Sequence, residues 1–503
     1  MAAVTTRWDP ERDADALYGQ FLLRDRRNDG KFLPGVISTG IYCLPSCPAK
    51  RPKRENVRFF HHPDEARRSG LRPCSRCHPD SFYRGEEFHE TLFEQTGARV
   101  RNNPGAFRGI SDMTRAAGLS RTALNDLFRE HAHESPASFL RRARADFVCR
   151  LLENGARPAD AAASAGYGSA SSFHQQFSAR TGMTPAAWSM LAAPGGAREF
   201  TLSLPKDYRP RETLGFFGRD RESVSERVDF NRFTFAKCFE VGGRAIAVEV
   251  EFAQNSALCR TDEEYGFAAH RAVWRMLGLD SDAAAFDRQF TGDHHDALAC
   301  LFRRQRGLRI PCTPEPWEAL GWAIMGQQIS LQAAVALRRG LIGALGRPHP
   351  SGLKAFPTAE VVAGADVALL RGLKFSASKA EYLLAAARAV AAGDVPLSRI
   401  RELSARHAAR LLGAIHGVGP WTIQYVFLRG AGFADCLPAG DAGLARGLAR
   451  LRGESGAAGR PDENGVKTAL DCYAPFRSLA ACHVWASLAD KPAEKKDRQE
   501  KKL

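Results

Sequence analysis

The residues best placed for chemistry at the start of the chain are four cysteines in two close pairs. Three residues separate Cys43 from Cys47, two separate Cys74 from Cys77, and 26 residues lie between the pairs. Two close pairs that close one loop are typical of a tetrahedral four-thiolate zinc site. The spacing therefore predicts one zinc ion bound by these four cysteines. A purely structural zinc knot is the commoner role for such a site, and a thiol redox sensor is a further alternative.

Basic residues surround the two cysteine pairs. Between positions 50 and 84 there are ten lysines and arginines but four acidic residues. The whole chain of 503 residues carries 71 Lys and Arg against 56 Asp and Glu, a formal net charge of +15. A surplus of this kind favours polyanionic partners, among which double-stranded DNA is the leading candidate.

The segments FLPGVISTGIYCLPSCPAKRPKRENVRFF and GLRPCSRCHPD resemble the amino-terminal domain of the bacterial Ada methylation-response proteins. In that family a zinc-bound thiolate accepts a methyl group from a methylated DNA phosphotriester, and the resemblance assigns this role to Cys43. A zinc-bound thiolate stays deprotonated and nucleophilic at neutral pH. Methylation removes a negative charge beside phosphates, so we expect it to raise DNA affinity and act as a switch. Leu44 and Lys50 stand where the family carries arginines, which predicts a weaker phosphate contact.

Two helix-turn-helix patterns follow, ISDMTRAAGLSRTALNDLFREH around Gly118 and RPADAAASAGYGSASSFHQQFSARTGMTPAAW around Gly166. Apolar residues recur at helical spacing in both, and a serine caps the helix that starts at Arg121. The pair resembles the DNA-binding domain of AraC-type regulators over about residues 90–192. The resemblance implies that helices beginning near Arg121 and Ser169 enter successive major grooves. Candidate base contacts are Arg121, Asn125, Ser171, Ser172 and Gln175, for each of which a solvated helix face is an equal alternative.

Residues 204–288 combine the strand patterns RFTFAKCFEV and RAIAVEVEF with the helical EEYGFAAHRAVWRMLGL. This stretch resembles the amino-terminal domain of AlkA-type 3-methyladenine glycosylases. Its segment LGFFGRDR matches a short motif that helps to build the base pocket of that family. The resemblance places Phe216 at the pocket edge, although an aromatic residue at such a position is more often core.

The segment ARLLGAIHGVGPWTIQYVFLRG predicts a helix, a turn at Gly417, Val418 and Gly419, and a second helix. Glycines in such a turn let backbone N–H groups approach a phosphate. Together with ALGWAIMGQQISLQAA, CLPAGDAGLARGL and APFRSLAACHVWASLAD, it resembles the helix-hairpin-helix glycosylases over about residues 300–490. The resemblance implies that Asp441 is the catalytic aspartate, that Gln327 and Gln328 invade the duplex, and that Trp421, Tyr425 and Trp485 form the base pocket. Gln328 departs from the leucine of a well-known member.

These residues predict a definite reaction. A ring-methylated base such as 3-methyladenine is cationic, so aromatic faces attract it once it is flipped out of the duplex. An ionised Asp441 stabilises the oxocarbenium-like sugar as the glycosidic bond breaks. The hairpin lacks the lysine of bifunctional relatives, which predicts a monofunctional enzyme without strand cleavage. The expected products are free 3-methyladenine and 7-methylguanine. The alternative is a transcriptional regulator in which the glycosylase domain is only a DNA-binding scaffold.

We therefore expect a multidomain, mainly α protein. Residues 1–88 form a small α+β zinc domain, 89–193 a double helix-turn-helix, 198–295 a small α+β domain, 296–490 an all-α glycosylase domain, and 491–503 a disordered basic tail. The sequence shows neither a signal core nor an apolar run of membrane-spanning length, so a cytoplasmic monomer without membrane contact is expected. Further candidate partners are RNA polymerase and a monovalent cation at the hairpin.

Overall fold

The computed structural model describes residues 8–85, 87–191, 198–262, 265–292, 296–454 and 459–488. The chain divides into two compact units, Met1–Leu92 and Phe93–Leu503. The predicted disordered tail lies outside the described residues, as does the linker at 193–197. Within the described ranges, every helix is too short or too polar to cross a membrane.

The first unit combines a small sheet with short helices. Its elements are α1 (Ala14–Leu22), β1 (Leu33–Val36), β2 (Ile41–Tyr42), β3 (Val57–Phe60), α2 (Pro63–Arg68), β4 (Arg72–Pro73) and α3 (Pro79–Tyr83). The strand order is β3-β1-β2-β4, and β2 and β4 run parallel. Leu33, Tyr42 and Phe60 form part of its apolar core. The predicted small α+β fold is confirmed.

The second unit begins with a double helix-turn-helix. Its helices are α4 (Phe88–Asn102, whose start lies in the first unit), α5 (Ile110–Ala117), α6 (Arg121–Ala132), α7 (Pro136–Glu153), α8 (Pro158–Ser164), α9 (Ala170–Thr181) and α10 (Pro185–Met190). The helix α7 joins the two halves, as expected. Ser120 and Ser169 cap α6 and α9, because each serine Oγ accepts a backbone N–H bond of 3.2 Å.

A five-stranded antiparallel sheet follows, in the order β5-β9-β8-β7-β6. The elements are β5 (Glu199–Ser203), α11 (Pro210–Phe217), β6 (Glu226–Asp229), β7 (Thr234–Val241), β8 (Arg244–Phe252), β9 (Ser256–Thr261), α12 (Gly266–Met276) and α13 (Ala283–Phe290). The sheet and the preceding helices share one apolar core that includes Phe177, Trp188, Leu202 and Val273. The linker between them therefore does not separate two independent cores.

The remaining elements form a helical region around one large core that runs from Phe286 to Val484. Its helices are α14 (Ala297–Arg304), α15 (Pro316–Gly326), α16 (Leu331–Leu345), α17 (Ala359–Ala363), α18 (Val367–Gly372), α19 (Ala377–Ala391), α20 (Ala405–Gly413), α21 (Pro420–Tyr425), α22 (Ala442–Leu451), α23 (Glu463–Leu470) and α24 (Arg477–Ser487). A π-helical turn, Val426–Ala431, follows α21. The predicted all-α architecture of this region is confirmed.

Polar contacts join the helix-turn-helix region to the helical region inside the second unit. The ring of His131 lies 2.9 Å from Ser404 Oγ, and both residues are buried. Glu94 Oε1 accepts the Ser404 N–H at 2.9 Å and contacts His407 Nδ1 at 2.8 Å. Because Ser404 is the N-cap of α20, these contacts connect the helix-turn-helix directly to the first helix of the hairpin.

Candidate metal centre and candidate active site

Strand pairing brings the two cysteine pairs together. In the parallel pair, Ile41 lies opposite Arg72 and Tyr42 opposite Pro73, so Cys43 and Cys74 follow at neighbouring strand ends. The sulfur atoms of Cys43, Cys47, Cys74 and Cys77 all lie within 4.8 Å of one another. Tetrahedral zinc with Zn–S bonds of about 2.3 Å needs sulfur separations of about 3.8 Å. The four thiolates therefore fit one zinc ion.

The four sulfur atoms differ in their hydrogen bonds. Cys77 Sγ accepts the Leu44 N–H at 3.3 Å, and Cys74 Sγ accepts the Arg76 N–H at 3.4 Å. The amide of Ala49 approaches Cys47. Among the described residues, no backbone N–H bonds to Cys43. Because a hydrogen bond withdraws charge from a thiolate, the Cys43 sulfur is more electron-rich than the sulfurs of Cys74 and Cys77.

Part of the basic surface near the cysteines is already engaged. The Arg51 guanidinium lies 3.8 Å from the Phe21 ring centroid and donates to the Pro45 carbonyl at 2.8 Å. Arg67 pairs with Asp64 and Asp80. Lys50 is exposed, whereas Leu44 is buried. Of the two positions that depart from the expected arginines, Lys50 alone therefore presents its side chain to a ligand.

The predicted base-reading residues differ in exposure. Arg121 on α6 and Ser171 and Gln175 on α9 are exposed. Asn125 is half-buried, and Ser172 Oγ accepts a hydrogen bond from Gln176 Nε2 at 2.8 Å. The structure thus leaves Arg121, Ser171 and Gln175 as the most accessible of the five.

The hairpin turn has a specific need for glycine at one position. Gly417 has a φ of +84°, and a Cβ on it would lie 2.1 Å from the Tyr382 ring. Val418 is buried beside it, and Gly419 is the N-cap of α21. Gln327 Nε2 donates to the Gly417 carbonyl at 2.9 Å and to Thr422 Oγ1 at 3.1 Å.

The two predicted invading glutamines therefore occupy different environments. The Gln327 side chain binds the hairpin, whereas Gln328 is exposed and has a φ of +56°. Ile329 and Leu331, which follow it, are 37% and 56% exposed. An apolar and largely exposed bend thus joins α15 to α16, and Gln328 lies at its start.

Asp441 lies at the centre of the candidate active site. It is the N-cap of α22, where Oδ1 accepts the Leu444 N–H at 2.9 Å. Trp485 Nε1 also donates to Oδ1 at 2.9 Å, and Trp421 Nε1 donates to Oδ2 at 3.2 Å. All three donors are neutral, and one of them, the Leu444 N–H, belongs to the first turn of α22. The two tryptophans are thereby positioned by the carboxylate itself.

Sequence reasoning missed a glycine that this arrangement requires. A Cβ at Gly443 would lie 2.8 Å from Asp441 Oδ1 and 3.2 Å from Trp485 Nε1. The available signal was the spacing in DAGLARG, in which Gly443 follows Asp441 by two residues. A residue that packs against a cap carboxylate cannot be identified from periodicity alone.

Aromatic rings form the walls of the site. The Trp421 and Tyr425 ring centroids lie 5.5 Å apart, and those of Tyr425 and Trp485 lie 6.4 Å apart. Trp322, which sequence reasoning missed, belongs to the same apolar cluster. The structure thus brings together the three aromatic residues predicted for the pocket and adds a fourth.

Two arginines contact these rings. The Arg219 guanidinium lies 4.4 Å from the Phe216 ring centroid and 4.0 Å from that of Trp322. The Arg429 guanidinium lies 4.6 Å from the centroid of Phe216 and 5.1 Å from that of Trp485. Burial lowers the pKa of Arg219. Sequence reasoning placed Phe216 at the pocket edge but did not anticipate either cation.

Comparison with known proteins identifies three segments of the chain. Residues 16–80 match the metal binding domain of Ada, residues 113–190 a helix-turn-helix domain, and residues 322–470 the HhH-GPD superfamily of base excision DNA repair proteins. The first covers the four cysteines, and the last covers Gly417, Trp421 and Asp441. The three matches follow one another along the chain in the order that the sequence predicts.

Individual relatives agree with this order. The chain is 27% identical over 506 residues to a probable bifunctional transcriptional activator/DNA repair enzyme AlkA of Mycobacterium tuberculosis, covering 97% of this chain and 99% of the relative. It is 26% identical over 298 residues to a DNA-3-methyladenine glycosylase of Bacillus subtilis, covering 57% of this chain and 96% of the relative. A 3-methyladenine DNA glycosylase structure from Archaeoglobus fulgidus shares the fold, with a TM-score of 0.50, 23% identity, and coverage of 57% of this chain and 97% of that one. The chain therefore carries three recognisable domains in sequence, an Ada-type metal-binding domain, a helix-turn-helix domain and an HhH-GPD domain of the kind found in base excision DNA repair proteins.

Proposed function

We propose that the chain is a monofunctional DNA glycosylase that releases 3-methyladenine and, more slowly, 7-methylguanine from alkylated duplex DNA. The observation that carries this proposal is the carboxylate of Asp441, held by Trp421, Trp485 and the start of α22. All three hydrogen-bond donors are neutral, and among the described residues the carboxylate forms no ion pair that would offset its negative charge. That charge is what an oxocarbenium-like sugar requires as its glycosidic bond breaks.

Within this proposal each site residue has a role. Gln328 fills the space left by the flipped nucleotide, and the Gly417, Val418 and Gly419 turn binds a phosphate, with a monovalent cation as a candidate aid. Trp421, Tyr425, Trp485 and Phe216 stack on the base. Asp441 stabilises the sugar cation and orients a water molecule. The base leaves with the bonding electron pair, the water oxygen bonds to the sugar carbon, and one water proton passes to the Asp441 carboxylate. A scaffold that only binds DNA has no need of this half-buried array of donors around one carboxylate.

Chromatography of bases released from alkylated duplex tests the proposal. We expect free 3-methyladenine and 7-methylguanine from the full chain under single-turnover conditions, with an intact sugar-phosphate strand. Release of neither base contradicts the enzyme proposal and favours the scaffold alternative. Strand nicking at the excised site contradicts the monofunctional assignment.

We further propose that Cys43 accepts one methyl group from a DNA methylphosphotriester. When bound, zinc holds the four thiolates deprotonated at neutral pH. The Cys43 sulfur uses a lone pair to form a bond to the methyl carbon, the methyl–oxygen bond breaks, and its electrons remain on the phosphodiester. The absence of a backbone N–H bond to Cys43 among the described residues supports this sulfur over those of Cys74 and Cys77 as the acceptor.

Peptide mass spectrometry after incubation with methylated DNA tests the acceptor. We expect a single methyl group on Cys43. The exposed Cys472 serves as an internal control, because it reports reaction with any soluble alkylating agent. Methylation of another zinc ligand, or equal methylation of Cys43 and Cys472, contradicts the assignment.

We also propose that the methylated protein acts as a transcriptional activator in the cytoplasm, as a monomer on duplex DNA. Arg121, Asn125, Ser171, Ser172 and Gln175 are the candidate base contacts, and Lys50 is a candidate phosphate contact. RNA polymerase is the candidate protein partner. The division into domains 1–88, 89–193, 198–295 and 296–490 belongs to the same proposal. Footprinting a duplex with methylated and unmethylated protein tests it, and identical footprints contradict an activating switch.

A further inference from the structure

Arg219 has an unusual position for a cation. It lies just after α11, and its guanidinium contacts the rings of Phe216 and Trp322 at 4.4 and 4.0 Å. Trp322 shares an apolar cluster with Tyr425, Trp421 and Trp485. The guanidinium therefore occupies an aromatic slot at the candidate base pocket, and it presents to those rings a flat positive charge like that of a ring-methylated base.

Arg219 lacks the partners that its neighbours have. Arg338 pairs with Glu226 and Glu318, and Arg339 pairs with Asp220. Among the described residues, Arg219 makes neither an ion pair nor a hydrogen bond that would anchor its guanidinium. The residue is half-buried, so its guanidinium keeps some contact with water. Cation–π contacts with two rings hold Arg219 instead, so its side chain can leave without breaking an ion pair.

The side chain of Arg219 fills the aromatic slot formed by Phe216 and Trp322. The cavity beside the guanidinium, which Phe216, Arg219 and Trp322 line together with the charged residues Glu226, Glu318 and Arg338, has a volume of about 10 Å³ and holds one water molecule at most. A purine base cannot enter such a space. A flipped base that stacks on the Phe216 and Trp322 rings must therefore displace the guanidinium of Arg219.

We propose that Arg219 is a specificity-determining residue that the flipped base must displace, and that this displacement selects cationic bases over neutral ones. The inference rests on the proposed glycosylase function. A cationic base restores the cation–π contacts that are lost when the guanidinium leaves. It also leaves the net charge around the Phe216 ring, which Arg429 contacts as well, unchanged, whereas a neutral base removes one positive charge from the aromatic slot.

The selection works as a threshold. Displacing Arg219 lowers the flipped fraction of every base by the same factor. If most bound complexes hold a cationic base in the flipped state even after this loss, its excision rate falls little. A neutral base is flipped in only a small fraction of complexes, so its excision rate falls by the same factor as that fraction. Removal of Arg219 is therefore expected to raise excision of a neutral base by about tenfold or more, the effect of one strong cation–π contact. Excision of a cationic base is expected to change much less.

The experiment compares single-turnover release of 7-methylguanine, which is cationic, and hypoxanthine, which is neutral, from otherwise identical duplexes. The full chain is used with the variants Arg219→Ala and Arg219→Met. Both are expected to accelerate hypoxanthine release at least about tenfold relative to 7-methylguanine release. Methionine tests the role of charge, because it keeps a long side chain in the slot without the cation. Wild-type selectivity in Arg219→Met would show that volume alone closes the slot and would overturn the proposal.

Arg211→Ala is the matched control. Arg211 lies on α11 and is exposed. Its guanidinium lies 5.5 Å from the centroid of the Phe233 ring, which packs against the core of the sheet and not in the aromatic cluster of the pocket. It is expected to keep both wild-type rates. Unchanged or slower hypoxanthine release in Arg219→Ala, or an equal gain for both bases, overturns the inference while 7-methylguanine release persists. Failure of the wild-type chain to release 7-methylguanine instead refutes the proposed function, and with it this inference.

Discussion

Replacing Asp441 with asparagine separates charge from shape at the candidate active site. The asparagine oxygen can take the place of Oδ1, which accepts the Leu444 and Trp485 N–H groups at 2.9 Å. Its amide nitrogen then faces the Trp421 N–H, so one hydrogen bond of 3.2 Å is lost. The cap of α22 therefore survives, and we expect the variant to fold.

The loss of charge has a larger effect on the chemical step. A carboxylate about 4 Å from an oxocarbenium-like sugar contributes about 4 kcal/mol at an effective dielectric constant of about 20. That value suits a half-buried group such as Asp441. A loss of this size corresponds to a rate about 10³-fold slower, which agrees with the effect of removing one preorganised electrostatic group.

Single-turnover release of 7-methylguanine measures this effect, together with duplex affinity and thermal unfolding of the same preparations. Asp462→Asn is the matched control, because Asp462 also caps a helix, α23, through a 2.8 Å bond to the Gly465 N–H, and it is exposed. We expect wild-type rates for the control and a loss of about three orders of magnitude for Asp441→Asn. Equal rates for the two variants would refute the catalytic assignment.

Four further predictions concern the pocket, the hairpin, acid stability and the switch. Trp485→Phe keeps an aromatic ring but loses the hydrogen bond to Asp441, so it should slow the chemical step more than it weakens base capture. Trp485→Ala should impair both capture and chemistry. Single-turnover rates measured over a range of enzyme concentrations separate the affinity for the damaged duplex from the rate of the chemical step. Gly417→Ala should lower the melting temperature, because a positive φ costs an alanine about 1–2 kcal/mol even before the contact with Tyr382 is counted. Gly419→Ala should leave the melting temperature unchanged, because a Cβ at that position has no heavy atom within 4 Å. Burial lowers the pKa of His270 to about 4, so between about pH 6.5 and 4 only the unfolded chain binds a proton at this residue. The free energy of unfolding should therefore fall by about 3 kcal/mol as the pH drops through that window. Denaturant titrations of the wild type and His270→Asn measure this loss, and an equal dependence of stability on pH in the two proteins contradicts the prediction. Methylation of Cys43 should strengthen duplex binding, most at low salt, and equal affinities at every salt concentration contradict a charge-based switch.

The sequence predicted the fold wherever one repeating pattern determines one element. Helical periodicity predicted α6 and α9, the serine before Arg121 predicted the cap of α6, and alternation predicted β7 and β8. The packing between elements was less accessible. Trp188 and Leu202 lie on opposite sides of the linker yet share one core, and no local pattern reports which apolar faces will meet.

The candidate site shows the same division. The positions of Asp441, Trp421 and Trp485 followed from motifs, but the hydrogen bonds from both indoles to one carboxylate did not. Gln327 and Gln328 are adjacent and chemically identical, yet one binds the hairpin and the other is exposed. Their difference arises from the backbone bend after α15, in which Gln328 adopts a positive φ.

A buried charge cluster explains how the sheet supports this site. Lys237 Nζ lies 2.6 Å from Glu226 and 2.8 Å from Glu318, and Arg338 contacts the same two carboxylates at 2.5 and 2.6 Å. Two cations and two anions balance, so loss of any one leaves an uncompensated buried charge. Glu226 and Lys237 lie on β6 and β7, whereas Glu318 and Arg338 lie on α15 and α16, on either side of the bend that begins at Gln328. Since Arg219 lies between α11 and β6, the same cluster fixes the bend proposed to enter DNA and the segment that carries the proposed specificity residue.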